Sequence, residues 1–408
     1  MTHFVIIGAG ECGARAAFAL REKGFDGEIT LIGSEALAPY ERPPLSKATE
    51  EGAVEPKFIA EPEKYAAVGI SLLTSVTVQD VDPDAKAVAL SDGRTIAYDK
   101  LLFATGARAR AFPGIAEDSK HIRLLRTHAD AVALRKAMVP GKHIVIIGGG
   151  FVGLELAATA RALGTDVTVL EGLERVLKRG VPEEVAGVIC ERHSLEGVDI
   201  RCGVAITAIT QDDERATIQL ADGDIVEANL VLVGIGATPN MELAARAGLQ
   251  IDNGIAVDEF LRTSAPDVYA AGDCCSFPLA IYGGRRVRLE SWRNAQEQGA
   301  LAAANMMGLG EAVSAVPWFW SDQYDVTLQI AGLAEGAVQH LRRDLGDGAF
   351  ILFHLDQAGQ LLAASGIGRG NAVARDIRLA AMLIAARAHP DPAALVASSV
   401  KLKSLLAA

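Results

Sequence analysis

Two stretches decide the fold: "FVIIGAGECGARAAFAL" at residues 4–20 and "HIVIIGGGFVGLELAAT" at residues 143–159. Each runs from a short apolar segment into G-x-G-x-x-G and on into residues with helical spacing. The glycines are Gly8, Gly10 and Gly13 in the first copy and Gly148, Gly150 and Gly153 in the second. In such a loop one glycine makes the tight turn, one lets the backbone approach a pyrophosphate, and one lets helix pack on strand. The helix N-terminus then presents N–H groups and a positive dipole end to the phosphates. A lone motif of this kind is weak. Two copies, each in strand–turn–helix context, predict two dinucleotide-binding units. Cys12 lies within the first loop, where packing asks for a small residue, and it is counted with the loop's cofactor-binding residues.

The second copy has its acid in place. "TDVTVLEG" (165–172) reads as a strand ending at Glu171, 23 residues after Gly148. A carboxylate there accepts from ribose hydroxyls and repels a 2′-phosphate, so NADH is expected over NADPH. Arg175 and Arg179 lie downstream but not beside the acid. In the first copy, "GEITLIGSEALAPY" (27–40) puts Gly33 and Ser34 near the expected position of the acid, with Glu35 next. Spacing leaves open whether Ser34 or Glu35 holds a ribose.

Composition excludes several classes. The chain has 408 residues and a net charge of −12. That length suggests two or three domains, and the acidic balance argues against nucleic acid and anionic membrane as partners. No apolar run reaches the ~18–20 residues of a membrane span, and the start reads as a first strand rather than a signal peptide. A cytoplasmic location is expected. The five cysteines (Cys12, Cys190, Cys202, Cys274, Cys275) form no C-x-x-C pair, so neither a disulfide scaffold nor a zinc site is implied.

Three further stretches bear on the dinucleotide. "KLLFATGARAR" (100–110) is a strand running into Ala104, Thr105 and Gly106, and "LVLVGIGATPN" (230–240) echoes it with a glycine turn at Gly236. "TSAPDVYAAGDCC" (263–275) is a strand that delivers Asp273 to a turn. That turn is expected to open a helix running past Glu290, with Asp273 accepting from a hydroxyl of the cofactor. Finally, the two prolines of "ERPPLSK" (41–47) stiffen the segment before Lys47, as suits a lysine that must reach a cofactor at a set distance.

Taken in order, G-x-G-x-x-G, "RPPLSK", "ATG", "GGGFVGLE", "GIGATPN", "AAGDC", "ESWRNAQEQG" (290–299) and "PWFWSDQY" (317–324) give the chain a resemblance. It is similar to the NADH-dependent, FAD-containing ferredoxin reductases that serve Rieske oxygenases and bacterial haem-thiolate monooxygenases. These belong to the glutathione-reductase-like flavoprotein class. The resemblance covers nearly the whole chain, and "RPPLSK" and "PWFWSDQY" are its specific parts. It implies FAD and NAD as cofactors. It implies that Lys47 lies beside the flavin near N5, paired with Glu155, and that Arg42 lies near the flavin pyrophosphate. It implies that Val78 meets the adenine through its backbone and that Arg126 and Asp273 contact the flavin. Trp292 would sit at an edge of the ring, and Trp320 would face it from the C-terminal domain. Trp318 reads more readily as a core aromatic.

The expected architecture is α/β, with two Rossmann-like dinucleotide-binding domains plus a C-terminal α+β domain. The FAD-binding domain is split over residues 1–108 and 240–314, the NAD-binding domain occupies 109–239, and the C-terminal domain 315–408, with helical spacing almost to the end. Disulfide reductases of this class carry C-x-x-x-x-C or C-x-x-C, and the related peroxidases and CoA-disulfide reductases carry one cysteine near residue 43; "ERPPLSK" has none. Electrons would therefore pass from NADH through FAD one at a time to an outside carrier, expected to be an acidic [2Fe–2S] ferredoxin. Arg285, Arg286, Arg288 and Arg293 in "YGGRRVRLESWRN" (282–294) offer it a basic docking patch. A rubredoxin, a quinone, or an NADH-sensing role of the apoptosis-inducing-factor type stand as alternatives.

Overall fold

Phe4, Val5, Ile6 and Ile7 are all buried because they form the central strand of an all-parallel sheet covered on both faces. The computed structural model describes residues 1–47, 55–115 and 119–406. These fall into two compact units. The first takes Met1–Glu41, Pro56–Arg108 and Thr238–Pro317, and the second takes the remaining described residues. Arg42 and Lys47 thus belong to the second unit, with both 109–237 and the C-terminal segment.

In the first unit the sheet order is Ile70–Leu73, Glu28–Ile32, His3–Ile7, Lys100–Phe103, Val268–Ala270. The register pairs Phe4 with Ile29 on one side and with Lys100 on the other. The helix Glu11–Glu22 buries Cys12, Gly13, Ala14, Ala16, Ala17, Ala19 and Leu20, a small-residue face. It packs on the helix Trp292–Met306. A Cβ at Gly299 would stand 2.4 Å from the Cys12 carbonyl oxygen, so the close approach of these two helices needs a glycine.

The second unit repeats the plan. Its parallel sheet runs Asp199–Cys202, Asp166–Glu171, His143–Ile147, Leu230–Val233, Ile122–Arg123. Each unit also carries a three-stranded antiparallel meander, Val78–Asp82 to Thr95–Ala97 in one and Ile206–Gln211 to Ile225–Ala228 in the other. The repetition extends to side chains. His3 Nε2 lies 2.9 Å from Thr30 Oγ1, and His143 Nε2 lies 3.0 Å from Thr168 Oγ1. Arg21 donates to the Phe25 and Val68 carbonyls, and Arg161 donates to those of Thr165 and Glu196. Each arginine closes the last turn of its dinucleotide helix onto the segment leading to the next strand.

The C-terminal part is an antiparallel sheet in the order Trp318–Gln323, Val326–Gly332, Leu361–Arg369, Ala349–Leu355, Gln339–Gly346. The helix Ala374–Ala385 covers one face with Ile377, Ala380, Leu383 and Ile384. Val326, Leu328, Phe350, Leu352 and Ile367 share a core with Leu154, Val176, Val185 and Ile189. The fold is α/β, with two Rossmann-like sheets and a C-terminal α+β portion.

Two local expectations fail. The helical spacing at the C-terminus does not continue. The helix stops at Ala385, Arg387 takes φ +50°, and Pro390 lacks the N–H a continuing turn would need, so only the short helix that Pro392 starts, Pro392–Val396, and a short 3-10 segment follow. Asp273 does not open a long helix either. It lies in the 3-10 turn Gly272–Cys274, and the chain continues as the strand Cys275–Leu279. That strand pairs with Ile255–Ala256 and Arg285–Val287, and the long helix starts only at Trp292, capped by Ser291. Strand pairing, with the hairpin partner Arg285–Val287 on one side and Ile255–Ala256 on the other, decided this over local helical spacing. Among the described residues, no helix is long and apolar enough to cross a membrane.

Candidate functional site

The two glycine turns are built alike. Gly8 has φ +112° and Gly148 φ +108°, and a Cβ on either would strike a backbone oxygen, Ala104 O at 2.2 Å or Gly234 O at 2.4 Å. Gly13 and Gly153 are held just as closely, with a Cβ falling 1.9 Å from Gly8 O and 2.3 Å from Gly148 O. The middle glycines differ. A Cβ on Gly10 or Gly150 meets nothing within 4 Å. Each also sits at the N-cap of its helix with no side-chain cap. Tight packing on either side of an open backbone at a helix N-terminus fits a dinucleotide pyrophosphate at each turn.

Around the first turn, Gly33 packs on Ala9, where a Cβ would come within 2.6 Å of the Ala9 methyl. Ser34 is exposed, and the Glu35 carboxylate accepts from Tyr40 OH. Buried Val78 starts its meander strand. Ala104 is buried. Thr105 donates to Asn240 O (2.6 Å), Asn240 Nδ2 returns a bond to Thr105 O (2.9 Å), and Gly106 O accepts from Asn240 N (2.9 Å). Before Asp273, the Gly272 N–H is held by Gln298 Oε1 at 2.7 Å. Sequence reasoning missed Glu11, which stands between Gly10 and Cys12. Burial raises its carboxyl, opposed chiefly by the hydrogen bond that Gln296 Nε2 donates to its Oε1 at 2.9 Å.

In the second unit the Glu171 carboxylate accepts from Gly149 N (2.7 Å) and Leu173 N (2.8 Å), which fixes it at the strand end beside the turn. Gly236 takes φ +107° and its carbonyl accepts from Arg110 N. Arg42 donates to the Arg126 carbonyl at 2.5 Å, and Arg126 N is held by Asp130 at 3.0 Å. This brings those two predicted residues together.

Lys47 ends a 3-10 turn, Pro43–Ser46, that the prolines start. Its ammonium meets Glu155 Oε1 at 3.1 Å and Asp322 Oδ2 at 3.3 Å. Glu155 is buried, and both of its oxygens take hydroxyls: Ser46 at 2.5 Å on Oε2 and Ser321 at 2.6 Å on Oε1. Asp322 Oδ2 also accepts from Trp320 Nε1 at 3.0 Å, and Oδ1 accepts from Thr327 at 2.8 Å. Trp318 and Trp320 stack at 5.4 Å with an interplanar angle of 25°. Both are half-buried, so Trp318 is not the core aromatic that its sequence suggested. Strand periodicity puts the two indoles on one face.

A further chain of bonds leads to Glu155. Tyr324 OH lies 3.3 Å from His193 Nδ1, His193 Nε2 2.7 Å from Gln323 Oε1, and Gln323 Nε2 donates to Ser321 Oγ at 3.1 Å. With the imidazole protonated on Nε2, every donor in the chain points toward the carboxylate. Burial lowers the His193 imidazole, which keeps it neutral. Ser46 and Asp322 sit inside quoted motifs and were findable there. His193 lies mid-helix and carries no local signal.

Burial is the leading cause that pushes up all five cysteine thiols, so none is a ready thiolate. The four arginines of the predicted patch are largely engaged within the chain. Arg286 donates to Val257 O and Ser276 O with Asp252 3.6 Å away, Arg288 pairs with Glu290, Arg293 with Glu297 at 2.7 Å, and Arg285 lies over the Tyr282 ring.

With this geometry in hand, the chain compares with known proteins as follows. Residues 2–299 match the pyridine nucleotide-disulphide oxidoreductase family, and residues 318–406 match the reductase C-terminal family. The chain is 41% identical to the anthranilate 1,2-dioxygenase system ferredoxin–NAD(+) reductase component of Burkholderia cepacia, covering 99% of both chains. It is 39% identical to putidaredoxin reductase of Pseudomonas putida, covering 99% of this chain and 96% of that one. Among solved structures, the covalent putidaredoxin reductase–putidaredoxin complex matches with a TM-score of 0.92 at 37% identity, over 100% of this chain and 98% of that one.

Proposed function

This chain belongs to the pyridine nucleotide-disulphide oxidoreductase family, whose members bind FAD and NAD(P), and we propose that it is an NADH-dependent reductase for a [2Fe–2S] ferredoxin that feeds an oxygenase. The observation that carries the reading is the second glycine turn. Gly150 faces open space while Glu171 is locked beside it by two backbone N–H groups, a site suited to a nicotinamide dinucleotide without a 2′-phosphate. A ferredoxin as acceptor is supported by the relatives' names. Leaving the flavin without a thiol relay is supported by five thiols all held protonated.

FAD, when bound, accepts a hydride from NADH and returns the electrons singly, so one NADH reduces two ferredoxins and releases one proton. The protein binds and tunes. Gly8, Gly10, Cys12 and Gly13 would hold the FAD pyrophosphate, the role the resemblance also gives Arg42. Ser34 or Glu35 takes the adenosine ribose, and Val78 takes the adenine. Ala104, Thr105, Gly106, Asp273 and Trp292 would complete the flavin contacts, the role the resemblance also gives Arg126. Gly148, Gly150, Gly153, Glu171 and Gly236 hold NADH. Lys47 would supply the cation that favours reduced flavin, and Glu155 holds it in place. Trp320 lies on the way out for electrons. Residues 1–108 with 240–314 serve as the FAD domain, 109–239 as the NAD domain and 315–408 as the C-terminal domain. The ferredoxin is acidic and docks over Arg285, Arg286, Arg288 and Arg293. Because Asp252, Glu290 and Glu297 offset these charges, the docking depends only shallowly on ionic strength. A nicotinamide donor suits the cytoplasm.

The test is an anaerobic titration of the purified protein followed in the visible. A flavin spectrum bleached by NADH and then rapidly restored by oxidised ferredoxin is expected. A stable long-wavelength charge-transfer band that ferredoxin does not discharge would overturn the reading.

A further inference from the structure

We infer that Asp322 is a positioning residue for the electron-transfer steps, tying the Lys47 ammonium and the Trp320 indole to a single carboxylate oxygen. The inference rests on the reductase reading given above.

Asp322 Oδ2 accepts from Trp320 Nε1 at 3.0 Å and from Lys47 Nζ at 3.3 Å. Its other oxygen is anchored by Thr327 at 2.8 Å, the residue directly opposite on the neighbouring strand. The carboxylate therefore cannot swing without giving up a bond. Lys47 does not need it for neutralisation, because Glu155 already faces the ammonium at 3.1 Å. Nor does Asp322 need Lys47 to offset burial, since its side chain is 41% exposed against 9% for Glu155. A second carboxylate that is dispensable for charge balance, yet held by three donors, has a geometric use.

That use is orientation. An indole has one N–H, and a bond to it fixes the ring's rotation about the side chain. Trp318 adds the stacked neighbour at 5.4 Å that fixes the face. Trp320 and Asp322 alternate in phase along one strand, so the backbone itself sets their separation. Because the carboxylate is pinned by Thr327, the Lys47 ammonium and the Trp320 indole are both referred to one fixed oxygen. The cation and the aromatic group are then held at a set separation.

Two variants separate the parts. Asp322→Asn keeps the size and an oxygen acceptor for the indole N–H but drops the charge. Asp322→Ala removes both. The far-ultraviolet dichroism couplet of the stacked Trp318–Trp320 pair is read on the protein with and without flavin. Stopped-flow reads bleaching by NADH and reoxidation by ferredoxin as separate half-reactions. The Ala variant is expected to weaken the couplet and slow ferredoxin-driven reoxidation about 10-fold, with NADH bleaching changed by less than about 3-fold. The Asn variant is expected to keep the couplet and most of the reoxidation rate. In both, the flavin midpoint potential rises, because a negative charge beside Lys47 is gone. An unchanged couplet in the Ala variant overturns the inference, as does equal slowing of both half-reactions. Wild-type flavin that ferredoxin fails to discharge sinks the reductase reading instead, and the couplet still reports on the Asp322–Trp320 tie.

Discussion

Lys47 Nζ lies 3.1 Å from Glu155 Oε1, although the two residues stand 108 positions apart in the chain. The 3-10 turn that the prolines impose delivers the lysine, and the first turns of the second dinucleotide helix deliver the glutamate. Glu155 is the more buried partner, at 9% side-chain exposure against 25%. Desolvating a carboxylate is expensive, and two hydroxyls plus one ammonium meet that cost.

Replacing Lys47 with methionine tests the cation's role. Ser46 and Ser321 still hydrogen-bond both Glu155 oxygens, but the buried carboxylate loses its counter-charge, so the fold is expected to survive at a cost of about 3 kcal/mol. Flavin content is expected to stay near wild type. The rate of flavin bleaching by NADH is expected to fall about 10-fold or more, measured by anaerobic stopped-flow. A wild-type bleaching rate would remove Lys47 from the chemistry and leave it a structural ion pair.

The glycine turns make a sharper pair of forecasts. Gly150→Ala places its methyl where no protein atom lies within 4 Å, so stability should drop by no more than about 1 kcal/mol. The KM for NADH should rise about 10-fold while flavin content stays normal. Gly148→Ala is opposite in kind. Its methyl would sit 2.4 Å from Gly234 O at a φ of +108°, so it should fail to fold or lose most of its stability. Thermal melting with NADH kinetics separates the two, and equal damage from both would refute the assignment of Gly150 to a ligand face.

How much of this was legible in sequence follows from the range of the forces involved. Both parallel sheets could be read because a buried parallel strand such as Phe4–Ile7 is apolar throughout, and each glycine turn completes itself within six residues. The partnership of Lys47 with Glu155 came from a family resemblance, since no residue pattern links positions so far apart. The helix expected after Asp273 failed because Cys275–Leu279 pairs with Arg285–Val287 as a hairpin across Gly283 and Gly284, and with Ile255–Ala256, a partner that lies about twenty residues earlier. His193 could not be singled out. Only folding brings the helix Glu183–Leu195 up to Gln323 and makes that histidine part of the chain leading to Glu155.

Acid should weaken the C-terminal sheet in a defined window. Burial, and secondarily the neighbouring His340, push the buried His354 imidazole down from its ordinary 6.5 to about 4. The unfolded chain takes up a proton near 6.5 and the folded chain resists it until about 4. Stability from this group is therefore full above pH 6.5, falls as the pH is lowered, and stops falling near pH 4. His193 is lowered for the same leading reason and adds a loss of the same sign. The His354 contribution amounts to roughly 3 kcal/mol. In urea unfolding across this range, the stability difference between wild type and His354→Asn should narrow by about that much. A difference that stays constant with pH would mean His354 titrates normally in the folded protein.

Under the proposed reading, coenzyme choice rests on Glu171. Glu171 is not a loose strand-end acid, because its two oxygens accept from Gly149 N and Leu173 N. The carboxylate is thereby aimed beside the turn, and a 2′-phosphate would meet an acid that cannot turn away. Glu171→Gln keeps the side chain's shape and one acceptor oxygen while removing the charge. The ratio of kcat/KM for NADH over NADPH should fall about 10-fold, through both a weaker hold on the ribose hydroxyls and relief of repulsion. Introducing a cation with Glu171→Arg should move the ratio further in the same direction, at the price of the two backbone bonds. If the Gln variant keeps the wild-type ratio, Glu171 serves the turn's structure alone, and discrimination must come from elsewhere in the site.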